Sequence, residues 1–131
     1  MKNTAYFLAF CNKYGISPCY RNKTEETLFK KIRESDFFIA DDKCTHRIIG
    51  LYFKIGVQDP KVTVVCHRSE LPLAKKLVYE NNKKIYYDSK VSAVLFHNYV
   101  DGQEIHPKDY HCIVHYYANF FYRYNYRKKK I

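Results

Sequence analysis

Seven side chains of the kinds that hold zinc, Cys44, His46, Cys66, His67, His111, Cys112 and His115, are spread along this 131-residue chain. No pair of them has zinc-finger spacing. His111 and His115 are four apart, which puts both on one face of a helix. The residues between them are Cys112, Ile113 and Val114, however, and the glutamate of a zincin HExxH motif is missing. A regular hairpin centred near Gln58 and Asp59 would pair Cys66 with about Tyr52 and leave Cys44 well further along the strand. The expectation is therefore no metal and no cofactor.

Other chemistries find little support. A nucleophile needs a nearby base, an orienting acid and donors for an oxyanion. Only Cys112, beside His111 and His115, offers a compact candidate, and neighbouring helix positions point in different directions. Clustered carboxylates would be needed for a Mg²⁺-dependent nuclease. Asp36, Asp41 and Asp42 form the densest acidic group, and Asp41-Asp42-Lys43 and Asp88-Ser89-Lys90 are fragments of an acid-acid-lysine pattern without a second acid in register. Gly15, Gly50, Gly56 and Gly102 are too scattered for a phosphate-cradling loop. The chain reads as a non-enzyme, with a nuclease as the minor alternative.

Cations and aromatic rings remain. The formal net charge is +10, with 14 Tyr, 9 Phe and no Trp. Positive excess in both halves favours an anionic partner without saying anything about fold. From Tyr110 to Ile131 the chain carries many aromatic and basic residues and no acid, the mixture that a single-stranded nucleic acid would need for stacking and phosphate neutralisation. The reading favoured on these grounds is a small nucleic-acid-binding protein. Its contacts would be Tyr122, Arg123, Tyr126, Arg127, Lys128, Lys129 and Lys130. The alternative is a structural or adaptor protein, of a virus particle for example, acting through self-association or an acidic protein partner. Abundant Tyr, Lys, Asn and Ile also suit an AT-rich genome, that of a large DNA virus or a low-GC microbe.

Five cysteines, an odd number without the close spacing of a secreted disulfide scaffold, point to a reducing compartment. Ala5–Phe10 is short for a signal-peptide core, and in Leu8-Ala9-Phe10-Cys11 a phenylalanine stands where a lipobox has a small residue. No run approaches the roughly 18 apolar residues of a membrane span. The expected location is intracellular, cytoplasmic or nuclear.

The positioning elements follow from periodicity. Asn3 or Thr4 caps a first helix to Tyr14, and Asn22 with Glu25 makes a capping box for a second, with Leu28, Phe29 and Ile32 inward. Ile49, Leu51, Phe53, Ile55 and Val57 alternate as a strand, paired in a hairpin with Val62, Val64 and Cys66. Ser69 caps a helix over Glu70–Tyr79. Ile85–Tyr87 and Val91–Val100 read as strands ending in an Asp101-Gly102 turn. Pro107 opens a final helix whose Tyr110, Ile113, Val114, Tyr117, Phe120, Phe121 and Tyr124 form a buried stripe, leaving His111, His115, Asn119, Tyr122, Arg123, Tyr126 and Arg127 outward.

These elements predict one α+β domain over residues 1–126 with a basic tail over 127–131. About four helices pack on one face of a mainly antiparallel four-stranded sheet, in the order α-α-β-β-α-β-β-α. That order resembles the arrangement in LAGLIDADG homing endonucleases. The resemblance stops at the order, because Cys11-Asn12-Lys13-Tyr14-Gly15 lacks the metal-binding acid those enzymes carry at the end of their first helix.

Overall fold

Thr24 starts the first described helix by turning its hydroxyl onto the Thr27 amide at 3.2 Å, satisfying a donor that the first turn would leave unpaired. The computed structural model describes residues 24–129, with side chains to Arg123. The expected helix over residues 3–14 lies outside them, as does Asn22 of the expected capping box. Helix α1, Glu25–Glu34, has Glu25 and Glu26 in its first turn and Lys31 and Arg33 in its last, each complementing the helix dipole. Leu28 and Ile32 are its buried residues.

Strand β1, Phe37–Ala40, follows at once and is buried along its whole length. It pairs antiparallel with β2, Ile48–Lys54, which in turn pairs antiparallel with β3, Gln58–Cys66. Helix α2, Leu71–Glu80, leads to β4, Lys84–Tyr87, which lies parallel to β1. Helix α3, Ser89–Asn98, and the long α4, Tyr110–Lys129, complete the domain. The sheet order is β3-β2-β1-β4. Among the described residues, the α+β class, the single domain and four helices with a four-stranded, mainly antiparallel sheet agree with the sequence reading.

Both faces of the sheet are covered, not one. Phe38 and Ala40 of β1 point with Ile48, Val64 and Cys66 toward α1 and α2, where Leu28, Ile32, Ala74, Leu77 and Val78 meet them. Phe37 and Ile39 point the other way, toward Leu95 of α3 and Ile113 and Tyr117 of α4. A strand buried on both faces shows no alternation, and β1 was therefore not legible as a strand. The segment Val91–Val100, expected as a strand, is mostly helix. The Asp88 carboxylate accepts the Val91 amide at 3.0 Å and caps it, and that local bond outweighs the β preference of its valines.

The β2–β3 turn is Ile55–Val57 and not Gln58–Asp59. Gly56, at φ +75°, supplies the left-handed residue that the turn requires. Cys66 accordingly pairs with Ile48 and not Tyr52. Ile55 and Val57, expected on the buried face, are 75% and 73% exposed.

Gly50 sits where β2 crosses a buried polar contact. The Ser35 and Thr63 hydroxyls lie 2.5 Å apart. A Cβ on residue 50 would fall 2.5 Å from Thr63 Oγ1, 2.7 Å from Ser35 Oγ and 2.9 Å from a Phe38 ring carbon. With no flexible chain end to yield, Gly50→Ala should destabilise by about 2 kcal/mol through overpacking. Urea unfolding monitored by circular dichroism would check this, and a wild-type midpoint would contradict it.

Candidate functional site

Strands β1 and β4 are parallel, so their carboxy-terminal ends emerge side by side, with Ala40 in register with Tyr87. The Asp88 amide donates to the Ala40 carbonyl at 2.8 Å and extends the ladder by one bond. Beyond it the chain diverges into the Asp41–Arg47 loop on one strand and the start of α3 on the other. This brings the two fragments Asp41-Asp42-Lys43 and Asp88-Ser89 together. A cleft of about 340 Å³ lies there, lined by Asp41, Asp42, Lys43, Thr45, His46, Arg47 and Ser89.

Asp41 organises the loop. Its carboxylate accepts the backbone amides of Thr45, His46 and Arg47 at 3.1, 3.0 and 3.1 Å. The Thr45 hydroxyl also donates to it, and His46 Nδ1 lies 3.3 Å away. Burial alone would raise the Asp41 pKa, but the amides of His46, Thr45 and Arg47 outweigh it and hold the carboxyl well below its ordinary range. It is an anion fixed by its own loop, not an available base.

The closure forces Cys44 to φ +52°, a left-handed conformation that costs a non-glycine residue about 1 kcal/mol. Its amide donates to the Asp41 carbonyl at 2.8 Å. The thiol is buried against the α2 side of the core. Burial and Asp41 push its pKa up while Lys75 pulls it down, and the net shift is upward. The thiolate that a nucleophile needs is disfavoured.

Bonds to α3 hold the other wall. The Asp42 amide donates to Ser89 Oγ at 3.0 Å. Arg47 donates from Nε to Ser92 Oγ at 3.0 Å and from its terminal nitrogen to the Ser89 carbonyl at 3.3 Å. Asp88 accepts the Tyr116 hydroxyl of α4 as well as the Val91 amide. Burial works against its charge, yet these donors keep its pKa low, and the paired Tyr116 phenol is pushed up to about 12. Asp42, Lys43, Thr45 and His46 face solvent on this fixed scaffold. The arrangement presents a rigid polar surface, with the carboxylates of Asp41 and Asp88 engaged internally.

The residues singled out by sequence fall elsewhere. Among the described residues, no group of three His, Cys, Asp or Glu could hold a metal ion. Cys44 and Cys66 are buried in one core cluster. His111 and His115 are exposed on α4. Tyr122 is 70% exposed and Arg123 is exposed. The helix backbone continues through Tyr126, Arg127, Lys128 and Lys129, whose side chains lie outside the described residues, as does Lys130. Most of the described aromatic side chains of α4 are inward: Tyr117 is buried, and Phe120 and Phe121 pack with it against Phe37 and Phe53. Val114, placed inward by the sequence reading, is 60% exposed. The Asp41 loop went unread because its signal, an acid ending an apolar run four residues before Thr45-His46, is common to many turns.

No family model matches the chain, and no curated protein matches it significantly in sequence. Solved structures do share its fold. A crystal structure of the EscU C-terminal domain superimposes with a TM-score of 0.64 at 22% identity, covering 72% of this chain and 91% of that one. Another crystal form of that domain gives 0.62 at 24% identity, with coverage of 67% and 93%. The cytoplasmic domain of FlhB from Shewanella putrefaciens gives 0.66 at 14% identity, covering 78% and 82%. This likeness overturns the nucleic-acid-binding reading, since the fold is that of the EscU and FlhB domains. The described aromatic side chains of the stretch that motivated the reading are chiefly core. The viral structural or adaptor alternative is likewise without support, and self-association is not shown. Nothing supports a nuclear location. No helix among the described residues is long and apolar enough to cross a membrane.

Proposed function

We propose that this chain is a protein-docking domain of an export apparatus of the type III secretion kind, the setting of both neighbouring domains. The observation that carries the proposal is the shared fold, which spans 91% of the EscU domain and 82% of the FlhB domain. By the same analogy the domain works on the cytoplasmic side of a membrane. The shared fold supports that setting. The cleft gives it local content. A polar loop held by three amide bonds and tied to a neighbouring helix offers a partner a pre-organised surface with little ordering entropy left to lose.

A photo-reactive residue at Lys43, in the full chain expressed in its source cells, tests the proposal. Position 55, at the far end of β2, serves as the control. The expected result is a nuclease-resistant cross-link from position 43 to membrane-associated export proteins, absent from position 55. Equal labelling at both positions, or adducts that disappear with nuclease, would overturn it.

A further inference from the structure

The sheet has two outer strands, and they are treated differently. The outer edge of β3 is occupied by the chain itself. Val62 donates to the Gln103 carbonyl at 2.8 Å, Gly102 to the Val62 carbonyl at 2.7 Å, and Ile105 to the Pro60 carbonyl at 2.8 Å. The Val65 amide is taken by the Asp101 carboxylate at 2.7 Å. Among the described residues, no strand or bridge pairs with the outer edge of β4.

Register fixes which groups that edge presents. The Asp88 amide bonds the Ala40 carbonyl, and Ala40 is opposite Tyr87. In a parallel ladder this turns the backbone groups of Lys84, Tyr86 and Asp88 toward β1 and those of Ile85 and Tyr87 outward. Tyr87 is 56% exposed. Ile85 packs its side chain on the α2 side of the core, which holds the strand in place.

Charge narrows the occupant. Lys83, Lys84 and Lys90 flank the edge, and the one acid between them, Asp88, has its carboxylate engaged by Tyr116 and the Val91 amide. Asn119 accepts the Tyr86 hydroxyl at 2.6 Å, and Arg123, one helical turn further on, adds another cation on that side. Lysines on a short edge deter pairing with neutral or basic strands. A second copy of this chain, at +10, is repelled by the same field that attracts carboxylates.

We infer that the β4 edge accepts an extended, acidic segment of a partner protein as an added strand, with Ile85 and Tyr87 supplying the backbone bonds and Lys83, Lys84 and Lys90 the charge match. The inference rests on the docking reading and names its second contact surface.

The test uses the full ¹⁵N-labelled chain and two peptides, one alternating valine with glutamate and one alternating valine with lysine. The glutamate peptide should shift the amide signals of Ile85 and Tyr87 and slow their hydrogen exchange, and the lysine peptide should not. Tyr87→Pro removes an outward N–H without touching the β1 ladder. It should weaken binding by about tenfold or more, as the loss of one or two hydrogen bonds would. Lys84→Glu with Lys90→Glu, two exposed positions, should do the same. Absence of binding, unchanged affinity in these variants, or a dimer in sedimentation that uses β4 would overturn the inference. Shifts confined to residues 41–47 would also overturn it while leaving the docking reading intact. Failure of the Lys43 cross-link, with the edge still binding, would count against the cleft alone.

Discussion

Tyr117→Ala is expected to lower the free energy of unfolding by about 4 kcal/mol, as truncation of a buried aromatic residue typically does. Tyr117 is 5% exposed and joins the sheet to α4. Its ring lies 4.7 Å from Phe37, 5.5 Å from Phe53 and 5.7 Å from Phe121, centroid to centroid. Its hydroxyl donates to Asp36 at 3.2 Å, beside the Phe53 amide, which donates to the same oxygen at 2.8 Å. Tyr117→Phe separates packing from polarity and should cost only about 1 kcal/mol. That smaller cost depends on pH. Burial raises the Asp36 pKa above its ordinary 3.8, although Phe53, Tyr117 and Lys83 oppose the rise. Asp36 therefore gains affinity for protons on folding. The penalty of Tyr117→Phe is greatest above the raised Asp36 pKa, where a charged carboxylate loses a donor, and shrinks as pH falls and Asp36 is protonated. Denaturant titrations at neutral and acid pH would read this, and a penalty that grows on acidification would contradict it.

Asp41→Ala carries the second large effect, an expected loss of about 3 kcal/mol from hydrogen bonds to a buried charge. Three loop amides lose their acceptor together, and Cys44 no longer has a reason to hold its left-handed conformation. Here the pH dependence has the opposite sign to that of Asp36. Because folding lowers the Asp41 pKa, its contribution is complete above the ordinary 3.8 and is lost as pH falls through that value toward the depressed folded one. The wild-type chain should therefore lose stability in acid more steeply than Asp41→Ala does. Parallel acid limbs in thermal unfolding would show that the carboxylate is not the loop's fastener.

How much of this was legible depended on how many faces each element buries. Helix α2 announced itself through Leu73, Ala74, Leu77 and Val78 at spacings of three and four, and α4 through Ile113, Tyr117, Phe120 and Phe121. Each has one apolar side and one wet one. Phe37-Phe38-Ile39-Ala40 did not, because a central strand covered on both faces is apolar throughout. Val91 to Val100 misled in the other direction, since the residue that decides its helix, Asp88, lies outside the valine run that suggested a strand. The α4 aromatics were counted twice at the sequence level, once as core and once as a stacking surface, and packing against Phe37 and Phe53 decides for core. The cleft could not be read at all. It exists because β1 and β4, more than forty residues apart in sequence, end side by side in parallel register. No local pattern records that pairing.

The proposal that the cleft docks a protein is tested most directly by comparing cross-linking from position 43 in the wild-type chain and in Asp41→Ala, at a temperature where both remain folded. If the fixed loop is the docking surface, freeing it should remove the adduct with export proteins while the native circular dichroism spectrum persists. An adduct of undiminished yield from the freed loop would contradict the account.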